Sequence, residues 1–103
     1  MEYTQQFAER LTQLRTEKGV SARDMSLSLG QSESYINKIE NRRTLPSMAG
    51  FFYICEYLGI EPKDFFDFAV ESPTKSAEVA QKINTLSPSQ AEHILLLIDD
   101  LTK

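Results

Sequence analysis

The chain has 103 residues, a formal net charge of −4 and a single cysteine, Cys55. This length suits one small domain with an appendage, and one cysteine excludes an intrachain disulfide. Because the sequence has neither an apolar run long enough to cross a membrane nor a signal sequence at its start, we expect a soluble cytoplasmic protein. Cys55 falls within the apolar pattern of a helix, which predicts a buried thiol.

The first predicted helix lies near residues 4–18. Phe7, Leu11 and Leu14 recur there at the helical spacing that places them on one face. Similar spacing recurs along the rest of the chain, and no run of alternating β-branched residues predicts a strand. We therefore expect an all-α fold.

Residues 21–43 have the pattern of a helix-turn-helix. Gly30 is expected to adopt the left-handed backbone conformation that closes the turn. Ile36 and Ile39 follow at a spacing of three and lie on one face of the next helix. Ser26 is small and sits where the two helices would approach each other closely.

Capping residues set the predicted helix boundaries of this motif. Ser21, with Asp24 three residues later, predicts a capping box for the first of its helices. Ser32 is predicted to cap the second, over residues 32–42.

Two further helices complete a predicted domain over residues 1–68. Ser47 can cap the fourth, and Gly59 ends it. A short fifth helix begins at Pro62 and is predicted to bury Phe65 and Phe66.

Residues 69–103 form a predicted helical extension with two helices, which begin after Ser72 and Ser87. The last helix, over about 88–102, carries an apolar arc of roughly 160°, wider than a minimal core-facing stripe. Leu96 lies apart from that arc. We expect the extension to act as a dimerisation element through the residues of the arc: Ile94, Leu95, Leu97, Ile98 and Leu101.

The motif and its flanks resemble the Xre/Cro family of lambda-repressor-like regulators. The resemblance covers about two-thirds of the chain, including Phe7 to Leu11, Thr44 to Ser47, and Leu58 to Pro62. It implies a five-helix DNA-binding domain whose third helix enters the major groove of double-stranded DNA, usually from a homodimer. Family members often have glycine at the position of Arg42, and many have a glutamine at that of Ala22.

The resemblance also implies which residues meet DNA. The positions matching the family's base-reading residues are Gln31, Ser32, Glu33, Ser34, Asn37 and Lys38. Lysine favours guanine, asparagine can pair with adenine, and glutamate can accept from cytosine. The expected phosphate contacts are Asn41, Arg42 and Arg43, together with Ser21 or Arg23 in place of the absent glutamine. The alternative for the base-reading residues is a solvated helix face without a binding role. The alternative for the residues that end the helix is a capping role.

The charge distribution supports a DNA-binding function but also leaves a protein-binding function open. Residues 21–43 carry four basic and three acidic side chains, and acidic residues are in excess in the rest of the chain. We therefore expect a homodimeric transcriptional regulator, a repressor, that reads DNA with the helix at 32–42. The alternative is a protein–protein interaction module or antitoxin-like partner that retains the fold.

No pattern predicts catalysis or a cofactor. The single histidine, His93, has no second ligand at metal-binding spacing, and there is no glycine-rich phosphate loop or nucleophile with a base. We expect no enzyme activity, cofactor, metal or membrane partner. The sequence does not indicate whether the protein binds an effector.

Overall fold

The computed structural model of the chain describes residues 2–103. All regular elements in that range are helices, which confirms the predicted all-α fold. The seven helices are α1 (Glu2–Lys18), α2 (Ala22–Ser28), α3 (Tyr35–Glu40), α4 (Met48–Leu58), α5 (Pro62–Phe65), α6 (Pro73–Ile83) and α7 (Pro88–Leu101).

The helices fall into two compact units. The first extends up to Glu71 and contains α1 to α5, and the second is Ser72–Lys103 and contains α6 and α7. In the first unit the Arg10 side chain of α1 is buried, and its Nη2 donates to the carbonyl oxygens of Asp67 and Val70 at 3.0 and 2.8 Å. These two hydrogen bonds tie the end of the unit to its first helix.

The core of the first unit draws residues from all five of its helices. Leu11, Met25, Ile36, Ile54 and Phe65 are each fully buried. Burying one such side chain stabilises the folded state by about 1.5–3 kcal/mol, so this core is the main source of stability in the unit. Cys55 is buried in the same cluster, as its position in the apolar pattern predicted.

An aromatic cluster joins α1, α4 and α5. The Phe7 ring lies 4.9 Å from that of Phe65, and the Phe51 ring lies 5.1 Å from Phe65 and 5.0 Å from Phe66. Phe66 was predicted to be buried, and that prediction is wrong because half of its surface is exposed. Phe66 is the residue that ends α5, whereas the helix buries Phe65.

Serine side chains cap three of the helices, although at α2 only the serine half of the predicted Ser21–Asp24 capping box forms. The Oγ atoms of Ser21, Ser47 and Ser87 each accept a hydrogen bond from the backbone N–H three residues later, at 3.0 to 3.2 Å. At α7 the Gln90 side chain also accepts from the Ser87 N–H, which completes a capping box. Such caps satisfy donors that the first helical turn leaves free.

The predicted bounds of the third helix are wrong. The helix is Tyr35–Glu40 rather than 32–42, and Ser32 does not cap it. The Tyr35 N–H instead donates to the Ser32 carbonyl at 3.1 Å, which closes a tight turn between Gly30 and the helix. Gly30 itself adopts the predicted left-handed conformation, with φ of +73°. The chain thus uses three more residues to complete the turn before α3 begins.

The second unit leaves most of its apolar residues uncovered. None of the 14 residues of α7 is buried. Leu95, Leu97, Ile98 and Leu101 are exposed, and Ile94 is half-buried. An isolated helix of this length is marginally stable in water, so α7 gains little stability from burial of its own side chains.

Candidate nucleic-acid interface

A buried serine fixes the two helices of the motif against each other. The Ser26 Oγ atom accepts a hydrogen bond from the backbone N–H of Ile36 at 2.9 Å and donates to the Ala22 carbonyl at 2.7 Å. Ser26 is completely buried, as its small size predicted. The Ile36 N–H lies in the first turn of α3 and has no partner within the helix, so the bond satisfies it and sets the approach of α3 to α2.

The other end of α3 is held by an ion pair to α1. Arg15 donates to the Glu40 carboxylate with Nε at 2.7 Å and Nη2 at 3.0 Å, and Thr12 Oγ1 donates to it at 2.8 Å. The hydrogen bond to Glu40 raises the pKa of Arg15 despite its partial burial. Because α3 is anchored at Ile36 and at Glu40, its outer face has a fixed orientation.

The outer face of α3 is polar. Ile36 and Ile39 are buried, whereas Asn37, Lys38 and Asn41 are exposed on the opposite side. The Asn41 Nδ2 atom donates to the backbone oxygen and the Oδ1 atom of Asn37, both at 2.9 Å. Two of the predicted DNA contacts thus hold each other in place and leave Lys38 beside them.

The turn before α3 carries the other predicted base-reading residues. Gln31, Ser32 and Glu33 are exposed there, and Ser34 is half-buried. The Glu33 carboxylate pairs with the Arg23 Nε atom of α2 at 3.3 Å. This pairing could not be predicted from the sequence, because the two residues are ten positions apart and no local pattern links them.

The chain after α3 ends the helix with an arginine in a left-handed conformation. Arg42 has φ of +61° and is the only non-glycine residue with a positive φ in the range 2–103. Its N–H donates to the Ile39 carbonyl at 3.0 Å, and the Arg43 N–H donates to that of Lys38 at 2.9 Å. This is the Schellman arrangement, in which glycine is the usual residue at the left-handed position. Both guanidinium groups belong to exposed residues.

The predicted DNA-contact residues fall into four groups in the structure. Asn37, Lys38 and Asn41 share the outer face of α3, Arg42 and Arg43 follow it, and Gln31 to Ser34 form the turn before it. Ser21 and Arg23 are exposed at the start of α2, where Ser21 is occupied as a cap.

The part of the chain that the structure describes contains no cluster of three or more metal-ligating side chains. No helix among the described residues is both long enough and apolar enough to cross a membrane.

Two short helices joined by a left-handed glycine, with a polar outer face on the second, define a helix-turn-helix domain. A family model described as a helix-turn-helix domain matches residues 8–69, more than half of the chain, and the chain therefore belongs to this family. No curated protein and no solved structure gives a significant match.

Proposed function

We propose that this chain is a sequence-specific regulator of the Xre/Cro type that binds double-stranded DNA as a homodimer and acts as a repressor. The observation that carries this proposal is the outer face of α3. That face is polar, exposed and anchored at both ends by the bond between Ser26 and Ile36 and by the Arg15–Glu40 pair. A preorganised helix of this kind suits the major groove, where base edges are read.

The exposed side chains divide into base-reading and phosphate-binding roles. Lys38 and Asn37 can reach base edges from α3, with guanine and adenine as their preferred partners. Arg42, Arg43 and Asn41 lie where the chain leaves the helix, and they suit the phosphate backbone. The residues of the turn, Gln31, Ser32, Glu33 and Ser34, approach the groove at the start of α3, with Ser21 and Arg23 on the phosphate side.

Selection of bound sites from random double-stranded DNA tests the proposal. We expect enriched sites with two half-sites about 34 Å apart, one turn of the duplex. Lys38→Ala should relax base preference at one position, whereas Arg43→Ala should weaken all sequences alike. Lys82→Ala, which removes an exposed lysine of α6, is the matched control and should change neither. Failure to enrich any sequence at low salt would overturn the proposal.

A protein-binding role is the second candidate, because the chain carries a net charge of −4 and exposes apolar residues on α7. A salt titration of any complex that the chain forms separates the two functions. DNA affinity falls steeply with salt. Each phosphate contact adds about −0.9 to the slope of the logarithm of the binding constant against the logarithm of the salt concentration. An apolar protein interface has no such slope.

We propose α7 as the dimerisation element, through Ile94, Leu95, Leu97, Ile98 and Leu101. A second copy that covers these residues removes apolar surface from water and stabilises a helix that has no buried residue of its own.

Sedimentation of the full chain tests the α7 contact. Leu97→Glu with Leu101→Glu should convert dimer to monomer. Leu96→Glu is the matched control, because Leu96 is also exposed but lies outside the apolar arc. Equal sedimentation of both variants and the parent chain would exclude α7 as the contact.

A further inference from the structure

A polar pocket of about 390 Å³ lies along one face of α1 in the first unit. Four side chains at helical spacing line it from that helix: Gln6, Glu9, Arg10 and Gln13. A single water molecule requires only about 10–15 Å³ of such space. The pocket is therefore large enough to hold a small organic molecule.

The other wall of the pocket is the chain segment that ends the first unit. Phe68, Val70 and Glu71 belong to this wall. Hydrogen bonds hold the segment against α1, because Arg10 Nη2 donates to the Val70 carbonyl at 2.8 Å and Gln13 Nε2 donates to the Glu71 carbonyl. Both walls of the pocket are thus part of one packed unit.

Two buried polar atoms of the lining residues have no hydrogen-bond partner: Arg10 Nη1 and Gln6 Oε1. The Arg10 side chain is only 5% exposed, and its guanidinium carbon lies 5.8 Å from the centre of the Phe68 ring. No carboxylate among residues 2–103 forms an ion pair with Arg10. Because a buried charge and a buried acceptor without partners cost free energy, a ligand that accepts from Arg10 and donates to Gln6 would be stabilised here.

The charges of the lining residues indicate the class of that ligand. Arg10 is a buried cation, whereas Glu9 and Glu71 are exposed carboxylates in the same pocket. A simple anion is attracted by Arg10 and repelled by the two glutamates, and a simple cation meets the opposite combination. A zwitterion, with its two charges on adjacent groups, matches both signs at once.

We propose that the pocket binds a free α-amino acid with an apolar side chain. Its carboxylate accepts from Arg10 Nη1, and its ammonium group donates to Gln6 Oε1 and faces the glutamates. The Gln6 side chain is half-buried and rotates to admit the ligand to Arg10. Phe68 and Val70 supply the apolar surface against which the ligand side chain packs.

Titration of the full chain with L-leucine and with L-phenylalanine, followed by two-dimensional amide NMR spectra, tests the proposal. We expect saturable shifts of the Gln6 side-chain amide and of residues 68–71, with a dissociation constant of about 5 mM or lower for at least one of the two. Two fragments of leucine serve as matched probes. 4-Methylpentanoate lacks the ammonium group and isopentylamine lacks the carboxylate, so each should bind at least about tenfold more weakly than L-leucine.

Variants test the roles of the lining residues. Gln6→Leu removes the acceptor without a charge change and should weaken amino-acid binding about threefold to tenfold. Gln81→Leu is the matched control, because Gln81 is an exposed glutamine of α6 that does not line the pocket. Glu9→Gln with Glu71→Gln should weaken L-leucine binding and strengthen 4-methylpentanoate binding, since loss of the carboxylates acts oppositely on an ammonium group and on a carboxylate.

Three outcomes would overturn the proposal. The first is the absence of saturable shifts with either amino acid at about 20 mM. The second is equal affinity for L-leucine and its two fragments, and the third is equal amino-acid affinity in the parent chain, Gln6→Leu and the double glutamate variant. None of these measurements involves DNA, so the amino-acid site and the proposed function stand or fail separately.

Discussion

The hydroxyl group of Ser26 accepts a hydrogen bond from the backbone N–H of Ile36 at 2.9 Å, and no solvent reaches the serine. One buried side-chain atom thus connects α2 to the first turn of α3. The bond does two things at once, because it satisfies a helix N–H that has no partner in α3 and fixes the approach of the two helices. The orientation of the proposed recognition helix depends on this contact.

Ser26→Ala should lower the free energy of unfolding by about 1–3 kcal/mol, because it leaves the buried Ile36 N–H without an acceptor. Urea denaturation measures the change. Ser28→Ala removes an exposed serine from the same helix and should change stability by less than about 0.5 kcal/mol. Equal stability of the two variants would mean that the bond to Ile36 contributes nothing.

Arg42→Gly should raise the free energy of unfolding by about 0.5–1 kcal/mol, since glycine adopts a left-handed conformation without the cost that a Cβ atom imposes. The same variant should weaken binding to all DNA sequences alike, because a phosphate contact is lost. Arg43→Gly removes the same charge at a position without a positive φ and should not stabilise the chain. Thermal unfolding and DNA titration measure both effects, and a loss of stability in Arg42→Gly would contradict the assignment of strain.

Glu33→Gln should increase affinity for random-sequence DNA. The substitution releases Arg23 from its ion pair and removes a carboxylate that repels phosphate. The log–log salt slope should steepen by about 1, and discrimination between selected and random sites should fall. Glu56→Gln removes one negative charge from the exposed surface of α4 and serves as the control for net charge. An equal gain in both variants would show that the position of Glu33 is irrelevant.

Cys55 should be unreactive in the folded chain. Burial raises the pKa of its thiol to about 11, against about 8.5 in an unfolded chain. At a pH between these two pKa values, the Cys55 thiol keeps its proton in the folded state and loses it in the unfolded state. Stability therefore falls as the pH rises, by at most ~1.4 kcal/mol per pH unit.

Urea denaturation at pH 8.5 and pH 10 should show a steeper loss of stability for the parent chain than for Cys55→Ala. Iodoacetamide should label the folded chain slowly at pH 8 and the urea-unfolded chain quickly. A thiol introduced at the exposed position Leu101, in the Cys55→Ala background, provides the fast control. Rapid labelling of folded Cys55 would contradict its burial.

Much of the fold follows from local sequence. The serine caps, the glycine at position 30 and the apolar spacing of Ile36 and Ile39 predicted the helices and the turn, because capping and helical periodicity act over three or four residues. Arg42 is different, because no local pattern in the sequence predicted its conformation. The resemblance placed glycine at this position in related proteins, but only the structure showed the left-handed backbone there.

Contacts between residues far apart in the sequence could not be predicted from these local patterns. Arg15 and Glu40 are 25 positions apart, and Arg23 and Glu33 are ten. No periodic pattern relates such pairs, since their meeting depends on how α1, α2 and α3 pack. The start of α3 at Tyr35 was missed for a similar reason, because serines at 32 and 34 are equally good local caps and only the packed turn distinguishes them.

The sequence by itself determined that the chain is all-helical, that residues 21–43 form a helix-turn-helix, and which polar residues lie opposite its buried isoleucines. These properties depend on the chemistry of each residue and on the fixed geometry of a helix. The tertiary structure alone decided how α3 is anchored, which charge neutralises Glu33, and that Gln6 and Arg10 of α1 share one pocket with Phe68 and Val70. Those properties require residues from separate parts of the chain to meet, and packing of the whole core is what brings them together.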